Sequence, residues 1–228
     1  TDETIKNGAN LITVADPKGP VTEQFRTIRT HINFMAVDHD IKSVAFTSAN
    51  ISEGKSTVAA NVAVTYAQAG RKVLLIDADL RRPTVHRTFN LSNHVGLSTV
   101  ISSTAKEVDL DDVVQDSGIA GLAILPAGPT PPNPSELIGY KRMQDFISLV
   151  EDHYDMVIID LAPVLEVSDT QELARRLDGV ILIVRQGKTQ KAAIKRAVEM
   201  LNFSKAKVLG FIMNDISSDN AGYGYGYG

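Results

Sequence analysis

Residues 42–57 read KSVAFTSANISEGKST, and the reading of this stretch decides the fold. Its first half is a short apolar run with little polar alternation, the pattern of a strand covered on both faces. Its second half supplies Gly54, Lys55 and Ser56, the closing half of a G-x-x-x-x-G-K-[ST] phosphate loop in which Ala49 replaces the first glycine. An alanine-rich helical pattern follows over 55–69 and stops at Gly70. A loop entering a helix N-terminus aims unpaired backbone N–H groups at phosphate oxygens. The lysine reaches the terminal phosphates and the hydroxyl of Ser56 can ligate Mg²⁺. A plain strand-to-helix turn with a solvated lysine accounts for the same residues, so the rest of the chain has to decide.

Five further runs repeat the strand pattern: RKVLLID (71–77), LAILPA (122–127), DMVIID (155–160), GVILIV (179–184) and AKVLGFIM (206–213). Helical patterns lie between them at 135–152, 168–177 and 189–202. Alternating strands and helices predict an α/β fold of the P-loop NTPase type, a doubly wound, mainly parallel sheet with helices on both faces. Ligands then bind at the carboxyl ends of the strands.

Ahead of the first strand, Phe25, Ile28, Ile32 and Met35 fall at helical spacing, with Thr22 as N-cap and DPKGP (16–20) marking the boundary. The predicted helix spans about 21–37. The loop GPTPPNPSEL (128–137) offers Asn133 as the N-cap and Pro134 as the first residue of the next helix. Residues 1–216 read as one domain and 217–228 as a flexible tail, in which Tyr223, Tyr225 and Tyr227 alternate with glycine.

The 228 residues are 43% hydrophobic and 22% charged, an ordinary globular composition, and the net charge of −4 gives no global footprint for nucleic acid or an anionic membrane. The absence of cysteine excludes disulfides and thiol chemistry. Runs such as VILIV are too short to span a bilayer, which predicts a cytoplasmic domain. The five histidines lack metal-ligand spacing.

Three aspartates follow strands: Asp77 and Asp79 in VLLIDADLR, and Asp160 in MVIIDLAP. Singly, each reads as a turn residue or cap. Beside a phosphate loop, at the carboxyl edge of a parallel sheet, they read as a Mg²⁺ site.

With these residues in place, the chain resembles the bacterial tyrosine kinases of capsule and exopolysaccharide export. The resemblance rests on GKST, the D-x-D-x-R motif of Asp77, Asp79 and Arg81, and the apolar run ending at Asp160. It rests also on the E-x-x-R-x-x-R helix of Glu23, Arg26 and Arg29, and on the tyrosine tail. It implies an ATP- and Mg²⁺-dependent kinase that phosphorylates Tyr223, Tyr225 and Tyr227 in neighbouring subunits of a ring joined through Glu23, Arg26 and Arg29. The implied partners are a membrane-spanning chain-length regulator that activates the kinase and recruits it to the inner face of the membrane, other copies of the chain, and external protein substrates. Ser52, Glu53, Gly54, Lys55, Ser56, Thr57 and Asn214 are the expected nucleotide contacts, Asn214 serving adenine or else capping a turn. Ser56 and Asp160 fall to the metal, Asp77 to the metal or the acceptor proton, and Asp79 and Arg81 to support of catalysis.

The chain departs from that pattern at Ile51-Ser52, where the family usually has proline and glycine, and at Leu161-Ala162, in place of Ser/Thr-Pro. Two other readings stay open, a partner-regulated ATPase switch and a nucleotide-holding pseudokinase. The ATPase switches carry a lysine early in the loop, where this chain has Asn50.

Overall fold

The computed structural model describes residues 11–103, 107–133 and 141–214. Two helices open the chain, α1 (Ile12–Ala15) and α2 (Pro20–Met35), followed by β1 (Ser43–Ser48), α3 (Lys55–Gln68) and β2 (Val73–Ala78). Then come α4 (Val85–Thr88), α5 (Leu97–Ser102), α6 (Leu110–Val113), β3 (Gln115–Asp116) and β4 (Leu122–Leu125). The second half is α7 (Lys141–His153), β5 (Met156–Leu161), α8 (Thr170–Arg176), β6 (Gly179–Arg185), α9 (Lys191–Phe203) and β7 (Val208–Asn214).

The seven strands lie in the order β3-β4-β2-β5-β1-β6-β7, parallel throughout except for the antiparallel pair β3–β4. All six predicted strands are present. The seventh, β3, has two residues, too few to leave a periodic signal. Strands β1, β2 and β5 are buried at every position, as apolar runs sandwiched between helices must be. One core layer packs Met143, Phe146 and Ile147 of α7 with Leu201 of α9 on one face of the sheet. The other packs Val58, Val62 and Tyr66 of α3 with Ile32 of α2 on the opposite face.

Helix α2 begins at Pro20 behind Gly19 rather than at the predicted Thr22. Proline at the first position presets the helical φ and needs no hydrogen bond there. Thr22 lies fully buried inside the first turn, and its Oγ1 donates to the carbonyls of Asp16 (2.6 Å) and Ile12 (3.2 Å), closing the preceding loop. The predicted cap at Asn133-Pro134 runs into 134–140, which lies outside the described residues together with the tail at 217–228. Tyr66 is a core residue, and its hydroxyl reaches Asn33 Oδ1 at 3.1 Å. Among the described residues no helix is long and apolar enough to cross a membrane.

Candidate active site

Three adjacent strands build the site. β5 lies between β1 and β2, so the loops leaving all three meet at one edge, and Asp160 of β5 is in register with Asp77 of β2. The phosphate loop follows β1 and delivers Lys55 and Ser56 into the first turn of α3. That helix of 14 residues has no side-chain cap and no acidic residue in its first turn. Its free N–H groups and positive dipole end therefore face the loop, as an anion requires.

Lys55 is buried, and its Nζ donates to Asp160 Oδ1 (2.9 Å) and Asp79 Oδ2 (3.0 Å). Burial opposes the ammonium, but the carboxylates of Asp160 and Asp79 outweigh it and hold its pKa above the ordinary lysine value. Ser56 Oγ donates to the other oxygen of Asp160 at 2.5 Å. Asp160 is fully buried; burial raises its pKa, against Lys55 and the Ser56 hydroxyl, which lower it. A crevice of about 250 Å³ opens above this group, lined by 51–57, Asp79, Arg82, Thr84 and Pro163.

A hydroxyl and a carboxylate in contact beside a phosphate loop make an oxygen-only pair of the kind Mg²⁺ takes. Ser56 and Asp160 fit that ion. Among the described residues there is no cluster of three or more His, Cys, Asp or Glu that would hold a metal unaided.

Other expected site residues are placed differently. Asp77 has both oxygens occupied by backbone amides, Oδ1 by Asp79 (3.1 Å) and Oδ2 by Thr84 (3.0 Å) and Val85 (3.1 Å), and it does not line the crevice. It braces the loop after β2, while Asp79 two residues on reaches the crevice. Burial and the neighbouring Asp160 push the pKa of Asp77 up to about 7, against Lys55 and those amides. Arg81 is exposed and forms no ion pair among the described residues, whereas Arg82 lines the crevice and faces Glu166 at 3.9 Å.

Glu53 turns its carboxylate away from the crevice, accepting from the amide of Arg185 (3.1 Å) and the hydroxyl of Thr189, so only its backbone is offered to phosphate. Asn214, at the end of β7, donates from Nδ2 to the Glu53 carbonyl at 3.2 Å and lies against Gly54. It touches the phosphate loop as a brace. Ser52 holds φ at 60°, a left-handed conformation suited to the glycine that the family usually places there. Thr57 is exposed at the crevice wall.

On α2, Glu23 and Arg26 pair with each other on the surface. Arg29 points inward instead, and its Nη1 donates to the carbonyl of Thr65 at 2.5 Å near the end of α3. Thr84 and Arg82 are crevice residues that carried no signal in the sequence, since an arginine beside the motif arginine and a threonine before a short helix fit any surface loop.

A family model described as an AAA domain matches residues 41–206. The chain is 48% identical over 217 residues to tyrosine-protein kinase YwqD of Bacillus subtilis, covering 95% of this chain and 90% of that protein. The chain belongs to the bacterial tyrosine-protein kinases. The putative tyrosine-protein kinase CapB of Staphylococcus aureus is 40% identical over 213 residues, covering 93% of this chain and 92% of its own. Among solved structures, the kinase domain of Escherichia coli tyrosine kinase ETK superposes with a TM-score of 0.86 at 32% identity, over 96% of this chain and 84% of its own. As a bacterial tyrosine-protein kinase, the chain carries its chemistry on the nucleotide-binding fold of the P-loop NTPases.

Proposed function

We propose that this tyrosine kinase transfers the γ-phosphoryl group of ATP, bound with Mg²⁺, to Tyr223, Tyr225 and Tyr227 of neighbouring copies. The observation that carries the reading is the placement of the Lys55 ammonium between Asp79 and Asp160, with Ser56 on Asp160, at the open N-terminus of α3. Phosphoryl transfer needs positioning and charge neutralisation more than covalent chemistry from the protein. The backbone amides of 54–57 hold the phosphate chain, and Lys55 swings from its carboxylates onto the terminal phosphate oxygens. Ser56 and Asp160 would hold a magnesium ion, which would supply positive charge to offset that of the phosphates.

The acceptor phenol has a pKa near 10 and needs a base at neutral pH. A carboxylate of the Asp77 and Asp79 pair takes its proton as the new O–P bond forms and the bond to the ADP oxygen breaks. Asp79 reaches the crevice in the present arrangement; Asp77 reaches it only after releasing its amide bonds. Glu23 is exposed on the surface of α2 and Arg26 is partly so, tied within the chain to Glu23 and to the carbonyl of Pro17; ring assembly through α2 would draw on this pair. Activation by a membrane-spanning polysaccharide chain-length regulator, action at the inner membrane face and control of capsule or exopolysaccharide export complete the proposal.

Transfer between copies has a direct test. A Lys55→Met chain with an intact tail is mixed with an active chain carrying Tyr223→Phe, Tyr225→Phe and Tyr227→Phe, together with Mg-ATP and an activator fragment. Phosphotyrosine is expected on the Lys55→Met chain; its absence there, while the wild-type chain labels itself, would restrict transfer to one subunit.

A further inference from the structure

The outer face of α9 and the turn after it are basic. Lys191, Lys195 and Arg196 on the helix, with Lys205 and Lys207 beyond it, are all exposed and face one carboxylate, Glu199. The segment therefore carries a net +4 in a chain whose net charge is −4. Glu199 lies 4.0 Å from Lys195, and the other four cations have no ion-pair partner among the described residues. At 100° per residue, Lys191, Lys195, Arg196 and Glu199 occupy one side of the helix, opposite the buried Ala197 and Leu201.

The carboxyl end of β7 lies beside the start of this face. The carbonyl of Asn214 accepts from the amide of Gln186 at 3.1 Å, and Gln186 opens the turn that leads into α9. The chain beyond Asn214 reads DISSDNAGYGYGYG, with two acidic residues and no basic one. Tyr223 stands nine positions beyond Asn214, a span of about 30 Å when extended. The 13 residues of α9 are about 20 Å long, so each tail tyrosine can reach the whole face. Three phosphotyrosines add about −4.5 to −6 charges.

We infer that the basic face of α9 docks the phosphorylated tail, residues 215–228, of the same chain. The inference rests on the tail being the phosphoacceptor. Tethering supplies an effective concentration of about millimolar, so contacts that are weak between separate molecules suffice within one. A docked tail is withdrawn from the crevices of neighbouring subunits, and the face thereby turns the reaction product into a brake on further exchange. An anionic bilayer is the competing occupant of a basic surface. It is less well matched, because among the described residues Phe203 is the only large apolar side chain exposed on this side of α9, where an interfacial helix would carry an apolar stripe.

The test uses the full chain made inactive and unphosphorylatable by Lys55→Met with Tyr223→Phe, Tyr225→Phe and Tyr227→Phe. A synthetic peptide of residues 215–228 phosphorylated on all three tyrosines is titrated into the isotopically labelled protein at low salt, and amide shifts are followed. A synthetic peptide separates docking from the question of whether the chain phosphorylates its own tail, which the mixing experiment answers. The expected result is saturable shifts concentrated on 191–207, with the unphosphorylated peptide at least about tenfold weaker. Lys191→Glu, Lys195→Glu and Arg196→Glu together should weaken the phosphopeptide at least about tenfold, while Glu199→Lys tightens it. All four positions are exposed, so the variants keep the fold, which an unchanged urea midpoint verifies. No shifts, shifts elsewhere, or shifts insensitive to the triple reversal would overturn the proposal. So would a reversal that abolishes sedimentation with phosphatidylglycerol-rich vesicles and leaves peptide binding intact, which would make the face a membrane surface.

Discussion

Replacing Gly54 by alanine probes how the phosphate loop is tied to the far edge of the sheet. Gly54 caps α3 with φ at +81°, and a Cβ built there would lie 2.0 Å from Nδ2 of Asn214. Two costs follow. Holding alanine in the left-handed region takes about 1–2 kcal/mol. Displacing Asn214 breaks its 3.2 Å bond to the Glu53 carbonyl, about 1 kcal/mol. Alanine also stiffens the unfolded chain and returns about 0.4–1 kcal/mol, which leaves a net loss of about 1–2.5 kcal/mol. Asn214→Ala alone loses only the bond, about 1 kcal/mol. The double variant loses that bond once and has no collision, so it should be about 1 kcal/mol more stable than the sum of the singles predicts. Urea unfolding of the four proteins without nucleotide measures the cycle. Additivity to within about 0.5 kcal/mol would refute the contact between the loop and the end of β7.

Three further outcomes follow from the same geometry. Arg29→Met removes the bond to Thr65 and should lower stability by about 1–2 kcal/mol; an unchanged urea midpoint would return Arg29 to subunit contacts. Asp77, at about 7 in the folded chain against 3.8 ordinarily, keeps a proton that the unfolded chain releases. Its contribution is full below about pH 4 and lost as the pH rises through about 7. The nucleotide-free protein should therefore be more stable at pH 5 than at pH 8, and Asp77→Asn should flatten that slope; a wild-type slope retained in the variant would contradict this. Ser52→Gly relieves a left-handed serine worth about 1–2 kcal/mol and loosens the unfolded chain by about 0.5–1 kcal/mol. A small net gain in thermal stability is expected, and a loss would give the Ser52 side chain a role of its own.

The layered parallel sheet was legible because doubly buried strands must be apolar throughout, and their positions relative to the helices leave few topologies. GKST and the three aspartates were legible for a related reason: residues that follow parallel strands share one edge of the sheet. What could not be read was the direction of each side chain once there. Glu53 stands inside the phosphate loop, yet its carboxylate serves the turn after β6, more than 130 residues away. Asp77 and Asp79 are both polar residues at the end of β2, and only the path of the loop to Thr84 and Val85 decides which is enclosed by amides. Arg26 and Arg29 lie on one helix three residues apart, and the packing of α2 on α3 leaves one with Glu23 and the carbonyl of Pro17 and lays the other on the carbonyl of Thr65 in α3.

In the proposed reaction the tail is the acceptor and the Lys55 crevice the donor. Incubation with Mg-ATP and an activator fragment, followed by mass-spectrometric mapping of phosphotyrosine, tests it most directly. Phosphate is expected on Tyr223, Tyr225 and Tyr227, abolished by Lys55→Met. ATP hydrolysis with no phosphate on the tail would contradict it and leave a regulated ATPase in its place.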